Sequence, residues 1–203
     1  MKKLINILSK LNKMAGVDEV GRGCLAGPVF AAAVILKKNI NTKDIRDSKK
    51  LSFDKRILLS QYIKKNSIYA LGIATVEEIN KINILNASLL SMKRAVSNLK
   101  IKPNIAYIDG PFAPDLNMKC KTFIKGDEKI KSIAAASIIA KVSRDLFMIK
   151  LSSKYPKYFW HKNFGYGTKD HLHSLKKHGI TKHHRKKFKP IHNILFYKTR
   201  ETL

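Results

Sequence analysis

The chain has 203 residues, 44% of them hydrophobic, which is enough for a substantial core and too many for a disordered chain. Lys and Arg total 41 against 14 Asp and Glu, a formal net charge of +27. That excess points to a polyanionic partner, nucleic acid before an acidic membrane surface, although Lys, Ile and Asn are abundant together and compositional bias can supply part of it. Two cysteines, Cys24 and Cys120, are too few for a disulfide framework, so a reducing cytoplasm is expected.

The N-terminal residues 1–14 carry an early apolar cluster, but Ser9, Lys10 and Lys13 interrupt it and no export signal is expected. Residues 14–20 and 29–36 are short apolar runs separated by GRGCLAG, a pattern for two strands joined by a glycine-rich turn. The second run is also part of the longest apolar stretch, far short of the roughly 20 residues that span a membrane, so no membrane partner is expected. Residues 42–66 predict one or two helices, and 68–76 a third strand. From Val76 the apolar period changes: Ile79, Ile82, Leu85, Leu89, Met92, Val96 and Leu99 mark an amphipathic helix that Lys102-Pro103 ends. Residues 105–108 and 120–124 predict two more strands, and 129–151 a second long helix with a small-residue patch from Ala134 to Ala140. The order implies an α/β fold with a mixed central sheet flanked by helices.

Beyond Asp145 the only acids are Asp170 and Glu201, and all seven histidines fall in this part of the chain. Residues from about 151 to 203 are expected to form a basic helical appendage on a body of about 12–150, the whole making one domain. A zinc site among His171, His173, His178, His183 and His184 is disfavoured, because no cysteine pair accompanies them. Helix capping, phosphate contact or plain exposure suit them better.

In so basic a chain the placement of carboxylates is informative. Asp18 and Glu19 lie within an apolar run, Asp109 ends a predicted strand, and Asp127 follows another. Convergent carboxylates repel one another unless a cation compensates, and hard oxygen donors favour Mg²⁺ or Mn²⁺. Two such ions activate a water and support the leaving oxygen in phosphodiester cleavage. Each acid also has an ordinary reading: Asp18-Glu19 as a solvated pair near Arg22, Asp109 as an Asp-Gly turn, Asp127 as a helix N-cap. Neighbours in a regular strand face opposite ways, so Asp18 and Glu19 share a site only if the strand twists, bulges or ends there. Gly21-Arg22-Gly23 fits neither a P-loop nor a dinucleotide fingerprint; it can serve as a hairpin turn or bring main-chain amides to a phosphate. Tyr166, between Gly165 and Gly167, is either a turn residue or an exposed ring that stacks on a sugar or base.

Taken together, AGVDEVGRGCLAGPV at 15–29, DSKKLS at 47–52, YIDG at 107–110, KGDEKIKSIAAASIIAKVSRD at 125–145 and NFGYGTKDHLHSLKKHG at 163–179 resemble bacterial ribonuclease HII, in the ribonuclease H-like fold. The matching stretches run in family order over nearly the whole chain. The resemblance implies that Asp18, Glu19, Asp109 and Asp127 are catalytic and hold two divalent ions, Mg²⁺ or Mn²⁺. It also implies that Gly21, Arg22 and Gly23 read the ribonucleotide 2′-hydroxyl through backbone contacts, that Tyr166 packs on the ribose–deoxyribose junction, and that Lys49 approaches the phosphate backbone. The expected activity is endonucleolytic hydrolysis of the RNA strand in RNA–DNA hybrids and at single ribonucleotides in duplex DNA. The ends would be 3′-hydroxyl and 5′-phosphate, in primer removal and ribonucleotide repair by a monomeric enzyme. The alternatives are a non-catalytic nucleic-acid-binding protein and a related-fold nuclease of DNA junctions.

Overall fold

The computed structural model describes residues 14–45 and 51–200. They divide into two compact units. The first takes the chain up to Val20 with Phe30–Ile73 and Leu89–Val142; the second takes Gly21–Val29, Ala74–Ser88 and the chain from Ser143 onward.

The first unit is built on a sheet. Strands β1 (Met14–Val20), β2 (Val29–Leu36), β3 (Ser67–Ala74), β4 (Ile105–Asp109) and β5 (Lys119–Phe123) lie in the order β3-β2-β1-β4-β5. β1 runs antiparallel to β2 and parallel to β4, and β4 runs parallel to β5, so the sheet is mixed as expected. Every residue of β2 is buried, because both faces of this strand are covered. Ala32 and Val34 pack with Ala135, Ile138, Ile139 and Val142 of helix α4 (Lys131–Lys154) on one face. Ala31 and Ala33 join Val17, Ile108 and, from helix α2 (Val76–Ser97), Met92, Ala95 and Val96 on the other.

Gly16 of β1 lets the first turn of α4 approach the sheet closely. A Cβ added at Gly16 would lie 2.1 Å from the Ser132 carbonyl carbon, so only glycine admits the contact. The region of residues 42–66 forms a 3₁₀ turn at Lys43–Ile45 and helix α1 (Phe53–Lys65), whose N-cap Ser52 accepts from the Lys55 amide.

Two expected helices are divided. The helix expected over 129–151 begins as a separate short helix α3 (Gly126–Lys129), because Ile130 is extended at φ −122° and ψ 116°. The Ile130 amide closes α3 on the Gly126 carbonyl, while the Ile130 carbonyl accepts from Ala134 and opens α4. Within α2, Asn83 leaves helical geometry at φ 66°, and its side-chain oxygen accepts from the Asn86 amide to start the following turns.

The second unit has its own core, in which Leu25, Ala26, Met148, Tyr158, Trp160, Leu175 and Ile191 pack together. Its helices are α5 (Trp160–Asn163), α6 (Lys169–His178) and α7 (Lys189–Arg200), with Thr168 capping α6. The expectation that the histidines cap helices, meet phosphates or stand exposed fails for two of them, since His171 and His184 are fully buried. Trp160 Nε1 donates to His171 Nε2, which lies 3.1 Å from His184 Nε2. His171 Nδ1 reaches the Tyr166 carbonyl at 2.8 Å, and His184 Nδ1 accepts from the Thr181 amide. These partners assign one proton to each ring: Nδ1–H on His171 and Nε2–H on His184. Burial and the neighbouring ring push His184 down to about 3, and burial lowers His171, so both are neutral.

Candidate active site

In the first unit, register brings two acids side by side. Pairing of β1 with β4 ends at Val17 opposite Ile108, so Asp18 and Asp109 are the next residues of adjacent parallel strands. Pairing of β1 with β2 continues through Asp18↔Ala32 and Glu19↔Ala31 to Val20↔Phe30 without a bulge. Ala32 and Ala31 belong to opposite faces of the sheet, which places Asp18 on the α4 side and Glu19 on the other. The strand neither bulges nor twists the pair onto one face, so Asp18 and Glu19 point to opposite sides of β1 beyond its pairing with β4, and Glu19 acts on Asp18 through its charge.

Asp18 is only 6% exposed and its carboxyl is held well above the usual range. Burial is the main cause, followed by the charge of Glu19; Asp109 adds to it, while hydrogen bonds from Ser137 and the Glu19 amide pull the other way. The Glu19 amide donates to Asp18 Oδ1 at 2.7 Å. Asp109 accepts from the Gly126 amide through Oδ1 at 2.6 Å. A side chain at position 126 would crowd the tip of Ile133, Phe123 and the Asp109 carboxylate, so glycine gives that bond room. Lys125, left-handed at φ 53°, occupies the N-cap position of α3, and Asp127 lies inside its first turn. Asp127 is therefore not the N-cap of this helix. Gly110, at φ 90°, turns the chain directly after Asp109, a use of the Asp-Gly pair that leaves the Asp109 carboxylate bonded to the Gly126 amide.

Asp18, Glu19 and Asp109 offer hard oxygen donors whose repulsion a divalent cation would relieve; after burial, the charges of Glu19 and Asp109 raise the Asp18 carboxyl. Asp127 is not among the groups that shift Asp18. Among the described residues, no group of three or more His, Cys, Asp or Glu side chains already stands in a shape that could hold an ion. The fit to a metal thus rests on the coupling of Asp18, Glu19 and Asp109.

In the second unit, Gly21, Arg22 and Gly23 open the segment that follows β1. Gly21 is left-handed at φ 97°, and a Cβ there would lie 2.2 Å from Arg144 Nε. Arg22 and Gly23 are exposed, and nothing approaches a Cβ built on Gly23 within 4 Å. Tyr166 is 38% exposed. Burial of its hydroxyl, with a hydrogen bond to Cys24, pushes it up to about 12, so it is neutral. Tyr166 and the segment containing Gly21–Gly23 are thereby joined through Cys24. Lys49 lies outside the described residues.

Several residues of these sites escape a sequence reading. Ser137 is hidden in an alanine-rich run, and its contact with Asp18 depends on how α4 seats on β1. Arg144 in α4 and Arg185 in the cationic tail are completely buried, although an arginine reads by default as solvated surface. Each is satisfied by main-chain carbonyls: Arg144 donates to Pro28, Phe164 and Ala26, and Arg185 to Gly21, Arg22 and Gly27. Burial lowers Arg185 to about 10, still fully charged at neutral pH.

A five-stranded mixed sheet in this order, with acids at the adjoining ends of β1 and β4, is the ribonuclease H-like arrangement. The crystal structure of ribonuclease H2 from Pyrococcus horikoshii aligns with a TM-score of 0.78 at 27% identity, covering 92% of this chain and 99% of the other. The family model for ribonuclease HII matches residues 15–193. Ribonuclease HII of Pelagibacter ubique is 61% identical over 183 residues, 90% of this chain and 98% of the relative. That of Wolbachia pipientis is 51% identical over 189 residues, 93% and 95% of the two chains. The chain belongs to the ribonuclease HII family. It is accordingly a hydrolase, a divalent-metal-dependent endonuclease of the ribonuclease H type that acts on nucleic acid. Among the described residues, no helix is long and apolar enough to cross a membrane.

Proposed function

We propose that this enzyme hydrolyses the RNA strand of RNA–DNA hybrids and cuts at single ribonucleotides embedded in duplex DNA, leaving 3′-hydroxyl and 5′-phosphate ends. The observation that carries the reading is the adjacency of Asp18 and Asp109 beyond the last paired residues of β1 and β4, coupled to each other and to Glu19. Asp18, Glu19 and Asp109 would hold divalent metal, Mg²⁺ or Mn²⁺, with Asp127 contributing from α3. Two such ions, when bound, supply an activated water and neutralise charge on the departing oxygen. Ser137 and the Glu19 amide keep Asp18 oriented, and the Gly126 amide does the same for Asp109.

Main-chain groups of Gly21, Arg22 and Gly23 contact the ribose 2′-hydroxyl, the mark that separates a ribonucleotide from its deoxy neighbours. Tyr166 packs its exposed ring on the sugar at the junction, and Lys49 meets the phosphate backbone. The enzyme works as a cytoplasmic monomer and a single functional domain in ribonucleotide repair and primer removal. The test is a duplex with one ribonucleotide, incubated without metal, with Mg²⁺ and with Mn²⁺, beside an all-deoxy control. Metal-dependent cutting at the ribonucleotide with a 3′-hydroxyl product is expected. Cutting of the control, or no cutting with either ion, would refute the proposal.

A further inference from the structure

Arg185 sits in the most cationic stretch of the tail, yet it is fully buried and cannot meet a phosphate. Its backbone is fixed by pairing: the Arg185 amide donates to the Leu25 carbonyl, the Gly27 amide donates to the His183 carbonyl, and Ala26 bridges His184. From there Nη2 donates to the Gly21 carbonyl at 2.7 Å and Nη1 to the Arg22 carbonyl at 2.8 Å. Nε and Nη2 both reach the Gly27 carbonyl, at 3.0 and 2.8 Å. Four of the five guanidinium N–H groups are used, all on the main chain.

In a trans peptide the carbonyl of one residue and the N–H of the next point in opposite directions. The chain has no cis peptides among the described residues. Drawing the Gly21 and Arg22 carbonyls toward a buried cation therefore turns the N–H groups of Arg22 and Gly23 the other way, at the two exposed residues of the segment. We infer that Arg185 is a positioning residue for ribose recognition, which holds two successive amides outward as donors to the 2′-hydroxyl oxygen. Lysine cannot replace it, because one ammonium lacks the planar fork that spans three carbonyls. This inference rests on the proposed role of Gly21–Gly23 in contacting ribose.

The experiment compares binding of two duplexes, one with a single ribonucleotide and one all-deoxy, in an Asp109→Asn background with Mg²⁺ present. The parent is expected to prefer the ribonucleotide duplex at least about tenfold, one good hydrogen-bonded contact. Arg185→Lys and Arg185→Gln should bring the ratio near one. A purely structural role would weaken both duplexes together and keep the ratio, and that result overturns the inference. A parent without any preference overturns the ribose-reading role itself, and the inference with it. Should both variants fail to fold, amide exchange in the Asp109→Asn protein with an intact Arg185 decides. Gly23 should become protected on adding the ribonucleotide duplex but not the all-deoxy one, and equal protection by both overturns the ribose-reading role and the inference with it.

Discussion

The two units bury charge in opposite ways. Around Asp18 the first unit gathers like charges: burial, Glu19 and Asp109 all raise its carboxyl, and only two hydrogen bonds offset them. Around Arg144 and Arg185 the second unit buries two cations and satisfies them with main-chain carbonyls. The acids carry a repulsion that a bound cation would relieve, whereas each arginine is held by three main-chain carbonyls and fixes backbone shape. A buried charge can thus be a demand for a ligand or a tool for holding a loop, and its partners tell which.

The sharpest way to break this contrast is to neutralise an acid. Asp109→Asn keeps the shape of the side chain but removes its charge, and metal-dependent cleavage of a ribonucleotide duplex should fall at least about a hundredfold. Duplex affinity, measured by a fluorescence titration, should change little. A smaller effect is expected in the second unit, where Tyr166→Ala removes the exposed ring. Stacking contributes roughly 1–3 kcal/mol, so cutting at single ribonucleotides should drop about tenfold in steady-state kinetics while the melting temperature stays near its parent value.

Stability sharpens the comparison further. His184 is held near 3 in the fold against an ordinary 6.5. Between those values the unfolded chain binds the proton that the native ring refuses, so stability is full above about pH 6.5 and declines as pH falls toward 3. The slope is at most about 1.4 kcal/mol per pH unit for one histidine. Denaturant titrations from pH 7 to 5 should show this decline, and His184→Gln should flatten it. The smallest effect has the opposite sign: Asp18→Asn relieves buried repulsion, so in metal-free buffer it should melt about 1–4 °C higher than the parent, while also losing activity.

Much of the scaffold was legible in the chain. The runs at 14–20 and 29–36 coincide with β1 and β2, because glycine and proline punctuate them sharply. The acids stood out because they are scarce among so many lysines. What escaped was non-local. Nothing near Asp18 in sequence announces that β4 pairs alongside and stops at Ile108, so its adjacency to Asp109 depends on register alone. Likewise, HHRKKFKP reads as surface charge, and only its pairing with residues 25–27 buries His184 and Arg185. The break at Ile130 was hidden because apolar periodicity runs through it, while Gly126 and left-handed Lys125 set α3 apart.

The most direct test of the account is Mn²⁺ added stepwise to the isotope-labelled protein, with paramagnetic broadening followed residue by residue. The amides of Asp18, Glu19, Asp109 and Gly126 should broaden first, and Asp18→Asn should abolish that early broadening. If Mn²⁺ broadens other residues first, or leaves these four sharp at every concentration, the carboxylates do not share an ion and the account is contradicted.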